Sequence, residues 1–131
     1  MNKKQIFCLA VFLSLGILFA SLYAMQMEQR THQTEKINHW KKILITDLPI
    51  GSSQEKIELF GAKHHLTTMP NKDYYKKTIG YDIVADTVPV DPLSGFPFCA
   101  LGSKWPIVIQ IFISDQRIIT KERVSTVNSC L

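Results

Sequence analysis

The stretch PIVIQIFISDQRIITKERV, residues 106–124, decides the fold. Ile107, Ile109, Ile111 and Ile113 recur at every second position, the spacing that lines one face of a β-strand. Ser114 to Arg117 break the pattern with a polar turn, and Ile119 opens a second apolar limb. The pattern predicts a β-hairpin of roughly 106–114 and 117–125. Towards the N-terminus, TIGYDIVADT (78–87) alternates as well. Ile79, Tyr81, Ile83 and Ala85 fall on one side, and Gly80, Asp82, Val84 and Asp86 mostly on the other, as in a half-buried strand.

Before these strands the period lengthens. Ile37, Trp40 and Leu44 recur at helical spacing, which predicts a short helix over about 34–45, and Pro49 bars its extension. In DLPIGSSQEKIELFG (47–61), Gly51 supplies a turn, and Ser52 with Glu55 forms the S-x-x-E pattern of a capping box. Ile57, Phe60 and the stem of His64 share one face of the helix that follows. A helix N-terminus can also hold an anion. Here the glutamate already occupies the positive end, and no lysine follows a glycine as a phosphate loop requires. The cap is the better reading. The sum is an α+β domain with two short helices packed on a three-stranded antiparallel sheet, in the order α-α-β-β-β.

The first residues belong to a different solvent. From Ile6 to Met25 the chain carries no charge. At roughly 1.5 Å per residue, a helix of that length measures about 30 Å, the thickness of a hydrocarbon core. Lys3 and Lys4 precede it and Glu28 is the first charge beyond it, so the positive-inside bias keeps residues 1–5 in the cytoplasm and sends the remainder out. Residues 6–25 then form a transmembrane signal anchor, 26–36 a polar stalk or linker, and 37–131 the extracytoplasmic domain. A cleaved signal peptide competes with the anchor. Its best cleavage site, after Ala24, has bulky Leu22 where a small residue belongs, and the anchor fits the full apolar length better.

The formal charge of +4 does not indicate a nucleic-acid partner. Setting aside Lys3 and Lys4 leaves 13 of the 15 basic residues against 11 acidic ones, a net +2 spread along the chain. Pairs such as Lys41-Lys42 and Lys76-Lys77 read as solvated faces. Cys8 lies in the apolar segment, which leaves Cys99 and Cys130 as an even pair in an oxidising compartment. A bridge between them would close a loop of roughly 31 residues and stabilise by about 3–4 kcal/mol. The alternative is two buried free thiols.

VPVDPLSGFPFCALGSKWP (88–106) has no period, four prolines and three large aromatics, Phe96, Phe98 and Trp105. Long irregular segments in compact domains often carry the working surface, so these aromatics are the candidate protein-binding residues. In the competing reading they only roof the sheet. Catalytic patterns are lacking: no G-x-S-x-G, H-E-x-x-H or C-x-x-C occurs. His64 and His65 point about 100° apart on a helix, and His32 and His39 stand in polar sequence. Asp82 and Asp86 share the polar side of the predicted strand, so an enzyme would have to use that pair. No cofactor or metal is called for.

Ile50, Gly51, Ser53, Ile57 and Gly61, followed by the hairpin IVIQIFISDQRIITK, resemble the pattern of the SmpA/OmlA family of outer-membrane-assembly lipoproteins. The family shows a short apolar lead, a glycine, a hydroxyl residue, a branched apolar residue and a closing glycine, then antiparallel strands. The chain departs from it in lacking a lipobox cysteine, in the early Gly61 and in its proline-rich loop. The resemblance implies the α-α-β-β-β layer and binding rather than catalysis. The expectation is thus a membrane-anchored extracytoplasmic domain that binds another protein. The alternative is a secreted inhibitor or immunity-type protein released by cleavage.

Overall fold

The computed structural model describes residues 2–90 and 103–127. The order is α1 (Lys3–Asp47), α2 (Glu55–Lys63), β1 (Thr68–Lys72), β2 (Thr78–Pro89), β3 (Lys104–Ile113) and β4 (Ile119–Thr126). The molecule is α+β, with a long N-terminal apolar helix and a four-stranded antiparallel sheet.

The two expected N-terminal helical segments and the stalk between them are one helix of 45 residues. Residues 26–36 hold no glycine or proline, and most are good helix formers, so nothing interrupts the backbone ladder. The hydroxyls of Ser14, Ser21, Thr31, Thr34 and Thr46 each donate to a carbonyl three or four residues back, so none is left unsatisfied in or beside the apolar stretch. The helix stops at Asp47, where Leu48 leaves the helical region (φ −141°) and Pro49 follows. Its apolar N-terminal part packs against nothing among the described residues and is long and apolar enough to cross a membrane.

The strands run in sequence order, β1-β2-β3-β4. The hairpin falls where its isoleucines place it: Ile107, Ile109 and Ile111 are almost fully buried. β1, TMPNK, has no alternation and is mostly exposed, which is why the three-strand expectation misses it. Its Pro70 is tolerated because an edge strand has one side without a ladder to break. In β2 a bulge between Val84 and Asp86 reverses the facing, so that Val88 joins Tyr81 and Ile83 in the core and Asp86 turns to the helix side. Ile79, expected on the core face, is 46% exposed because the register skips it between Thr78 and Gly80.

α1 does two jobs. Its apolar first part is bare, while its last turns supply Trp40 and Leu44, with Leu48 just beyond, to the core against the sheet. Ile57 and Phe60 of α2 complete it, and each such side chain removed from water contributes about 1.5–3 kcal/mol. A side chain at Gly61 would place its Cβ 2.7 Å from Thr68 Cγ2, so the glycine sets how closely α2 approaches β1.

The joint before α2 differs from the expected capping box. Gln54 holds the cap position in helical backbone geometry without a side-chain cap bond, and Glu55 is the first helical residue. Ser52 is buried, and residues 51–54 use their backbone on the hairpin instead. Gly51 N–H donates to Ile119 (2.9 Å), Ile119 N–H to Ser52 (2.9 Å) and Gln54 N–H to Arg117 (2.9 Å). Pairing to the hairpin outcompetes the cap because those groups would otherwise be buried unsatisfied. Gly51 takes φ +92°, which its missing Cβ permits.

Candidate functional site

The sheet has two distinct ends, fixed by its contacts with α1. At the near end, towards the apolar part of α1, Gln33 donates to Thr126 Oγ1 (2.8 Å), and Lys36 reaches Asp86 (3.0 Å) and the Thr87 carbonyl (2.8 Å). The far end holds the two hairpin turns, level with the C-terminus of α1. There Asp47 joins the helices by accepting from Lys63 Nζ (2.9 Å) and meeting His64 Nε2 (2.8 Å).

The β1–β2 turn is closed by three hydrogen bonds at its base. Asp73 N–H donates to the Lys77 carbonyl (2.9 Å), Lys76 N–H to the Asp73 carbonyl (3.0 Å), and Lys77 N–H to Asp73 Oδ1 (2.8 Å). Lys76 adopts φ +61°, the left-handed residue that closes a short hairpin loop. At the apex stand Tyr74 and Tyr75, 94% and 85% exposed, with their rings edge to face at 5.5 Å and 89°. Such exposure of two adjacent aromatics on an ordered turn is costly apolar display, of the kind that marks interaction surfaces.

The second turn is closed by Ser114 N–H to the Ile118 carbonyl and Arg117 N–H to the Ser114 carbonyl, both 2.9 Å. A Lys77–Asp115 ion pair ties the turns together. That contact holds the Asp115 carboxyl below its ordinary range and raises the Lys77 ammonium above its own, chiefly through the hydrogen bond they share. Between the turns lies a polar notch of about 290 Å³ lined by Lys76, Lys77, Thr78, Ser114 and Arg117. The turns thus carry Lys72, Lys76, Lys77 and Arg117 against Asp73 and Asp115, with Glu55 and Glu58 of α2 lining the pocket beside Arg117.

The sequence-derived candidates fare differently. Trp105 is not a displayed anchor: it sits in β3 opposite Val88, 7% exposed, inside the core, because the isoleucine alternation of β3 extends back to it. Phe96, Phe98, Cys99 and Cys130 lie outside the described residues. Ser52 and Glu55 do not cap α2. Asp82 and Asp86 do not converge: Asp82 lies on the open face beside Gln110 (3.4 Å), while the bulge puts Asp86 on the helix side with Lys36. Among the described residues no group of histidine, cysteine and acidic side chains is placed to hold a metal ion. His64 instead packs on Phe60 and Trp40, with ring centroids at 4.7 and 6.0 Å. The tyrosine pair was missed in the sequence because DYYKK has no period. Its signal was two aromatics in a turn-forming, charged run.

Comparison with known family models, curated proteins and solved structures returns no match.

Proposed function

We propose that the chain is a single-pass membrane protein, N-terminus in the cytoplasm, whose extracytoplasmic domain binds another protein through its far end. The observation that carries this reading is the ordered turn displaying Tyr74 and Tyr75 at the end opposite the apolar helix. Tyrosine offers large contact area at low entropic cost, and the mixed charges around the turns, Lys72, Lys76 and Arg117 beside Asp73, Glu55 and Glu58, suit a polar rim on the partner. A protein fits better than a carbohydrate chain. Rings at 89° to each other cannot both stack on one flat sugar face, whereas they can fill adjacent depressions of a protein surface.

The anchor contributes through concentration and height. A domain confined to a membrane meets a membrane-bound partner at an effective concentration far above its bulk value. From residue 25 to Asp47, α1 rises about 33 Å, enough to carry the far end clear of the lipid headgroups. The retained anchor is preferred to the released inhibitor because the uncharged run is long enough to span a bilayer and Leu22 stands where a cleavage site needs a small residue. The resemblance to the SmpA/OmlA pattern supports binding over catalysis.

The test places a photo-reactive amino acid at Tyr75 in intact membranes. Crosslinks to one protein that are lost on Tyr74→Ala support the reading. Equal capture from a probe at Lys42, on the exposed side of α1, would defeat it.

A further inference from the structure

The two edges of the sheet are not equivalent. β1 is blunted by Pro70 and by the register shift between Asn71 and Lys72. β4 contains no proline, and among the described residues only its first residues are covered, where Gly51 and Ser52 exchange backbone bonds with Ile119. Beyond that point Val127 turns its N–H inward to Pro106 (3.0 Å). Because backbone groups alternate in direction along a strand, those of Glu122, Val124 and Thr126 point outward. Glu122 and Val124 also line a groove of about 340 Å³ between β4 and α1, completed by Lys41, Leu44, Ile45 and Arg123. Ile45, 72% exposed, forms its apolar lip.

One polar atom in this groove lacks a partner. Glu122 Oε1 is buried and meets no donor among the described residues, and burial raises the carboxyl above its ordinary range. An incoming donor beside Glu122 would remove that cost.

We propose that the free part of β4 is a strand-addition site for an extended segment of another polypeptide. The added strand bonds to the main chain of Glu122 and Val124, continuing the pairing that Gly51 and Ser52 begin. It places an apolar side chain against Leu44 and Ile45 and a basic side chain on Glu122. A second copy paired antiparallel through β4 does not fit. α1 runs alongside β4, Gln33 meeting Thr126 and Leu44 sharing the groove with Val124. Antiparallel pairing of two β4 strands would point the two apolar helices in opposite directions, and they could not enter one bilayer. This site goes beyond the tyrosine turn and is independent of it.

The test uses the full chain in detergent micelles and a synthetic eight-residue peptide alternating valine with threonine around one arginine. Hydrogen exchange at the amides of Glu122, Val124 and Thr126 should slow by at least about tenfold when the peptide is added. An analogue N-methylated at alternate residues should protect none of them, and one with glutamate for the arginine should bind about tenfold more weakly. Glu122→Gln should retain the protection and lose that preference, and Tyr74→Ala with Tyr75→Ala should change neither. The proposal fails if the N-methylated analogue protects equally, if protection appears at the tyrosine turn instead, or if millimolar peptide protects nothing. It fails too if these amides become protected with rising protein concentration and no peptide, which would make the occupant a second copy.

Discussion

Leu44 and Ile45 are neighbours on α1 with opposite fates, 1% and 72% exposed, and that contrast makes a sharp test of how the helix is used. If the end of α1 is core rather than tether, Leu44→Ala deletes a buried isobutyl group between helix and sheet and leaves a cavity that the surrounding isoleucines only partly refill. The loss should be about 3 kcal/mol, within the 2–5 kcal/mol usual for such truncations. Ile45→Ala removes a side chain already in water and should cost under about 0.5 kcal/mol. For a domain of this size total stability is about 5–13 kcal/mol, so the first change consumes a large share. With a urea slope of about 1–1.5 kcal/mol per molar, the midpoint should fall by roughly 2–3 M for Leu44→Ala and hardly move for Ile45→Ala. Trp40 and Trp105, the two tryptophans of the chain, are both buried in this core and report its unfolding by fluorescence in micelles. Equal midpoints for the two variants would mean that α1 only tethers the sheet, and the fold as described would be wrong.

Three further outcomes are expected. Gly80→Ala would bring a Cβ to 2.3 Å from the Ile111 carbonyl oxygen on the adjoining strand, where backbone cannot yield cheaply; it should cost about 1–3 kcal/mol by the same urea assay. Asp47 titrates below its ordinary 3.8 because of the hydrogen bonds from Lys63 and His64. The unfolded chain therefore binds the proton first as pH falls, and stability present above about pH 4 should decline below it. Asp47→Asn should flatten that part of the stability–pH curve, and an unchanged slope would exclude the contact as its source. A thiol count on the denatured, non-reduced chain should find Cys8 alone reactive if Cys99 and Cys130 are bridged, and three thiols if they are not.

What the sequence revealed follows from where periodicity exists. The isoleucine alternation of 107–113 gave the hairpin and its buried face because a one-sided sheet imposes period two on any strand that roofs a core. The apolar run of 6–25 gave the first part of α1 for an equally simple reason, since no charge interrupts it. Other features were set by contacts that no local pattern encodes. The bulge at Val84–Asp86 separates two aspartates that ideal alternation puts together. β1 is held by its pairing to β2 and by Gly61 packing on Thr68, not by its own composition. Ser52 and Glu55 matched a capping pattern, yet the backbone around them was claimed by the hairpin. The tyrosine turn was illegible for a related reason: exposure is a property of the finished surface, and DYYKK reads the same whether its rings are buried or bare.

If α1 anchors the chain in the proposed orientation, it carries the tyrosine turn well above the bilayer. Energy transfer from a fluorophore placed at residue 75, by a non-natural amino acid in the full chain, to acceptor lipids measures that height directly. A separation of about 30 Å from the membrane surface on the outer side is expected, with the donor quenched by an impermeant reagent added outside. A donor within about 15 Å of the lipid plane, or one reached only from the cytoplasmic side, would contradict it.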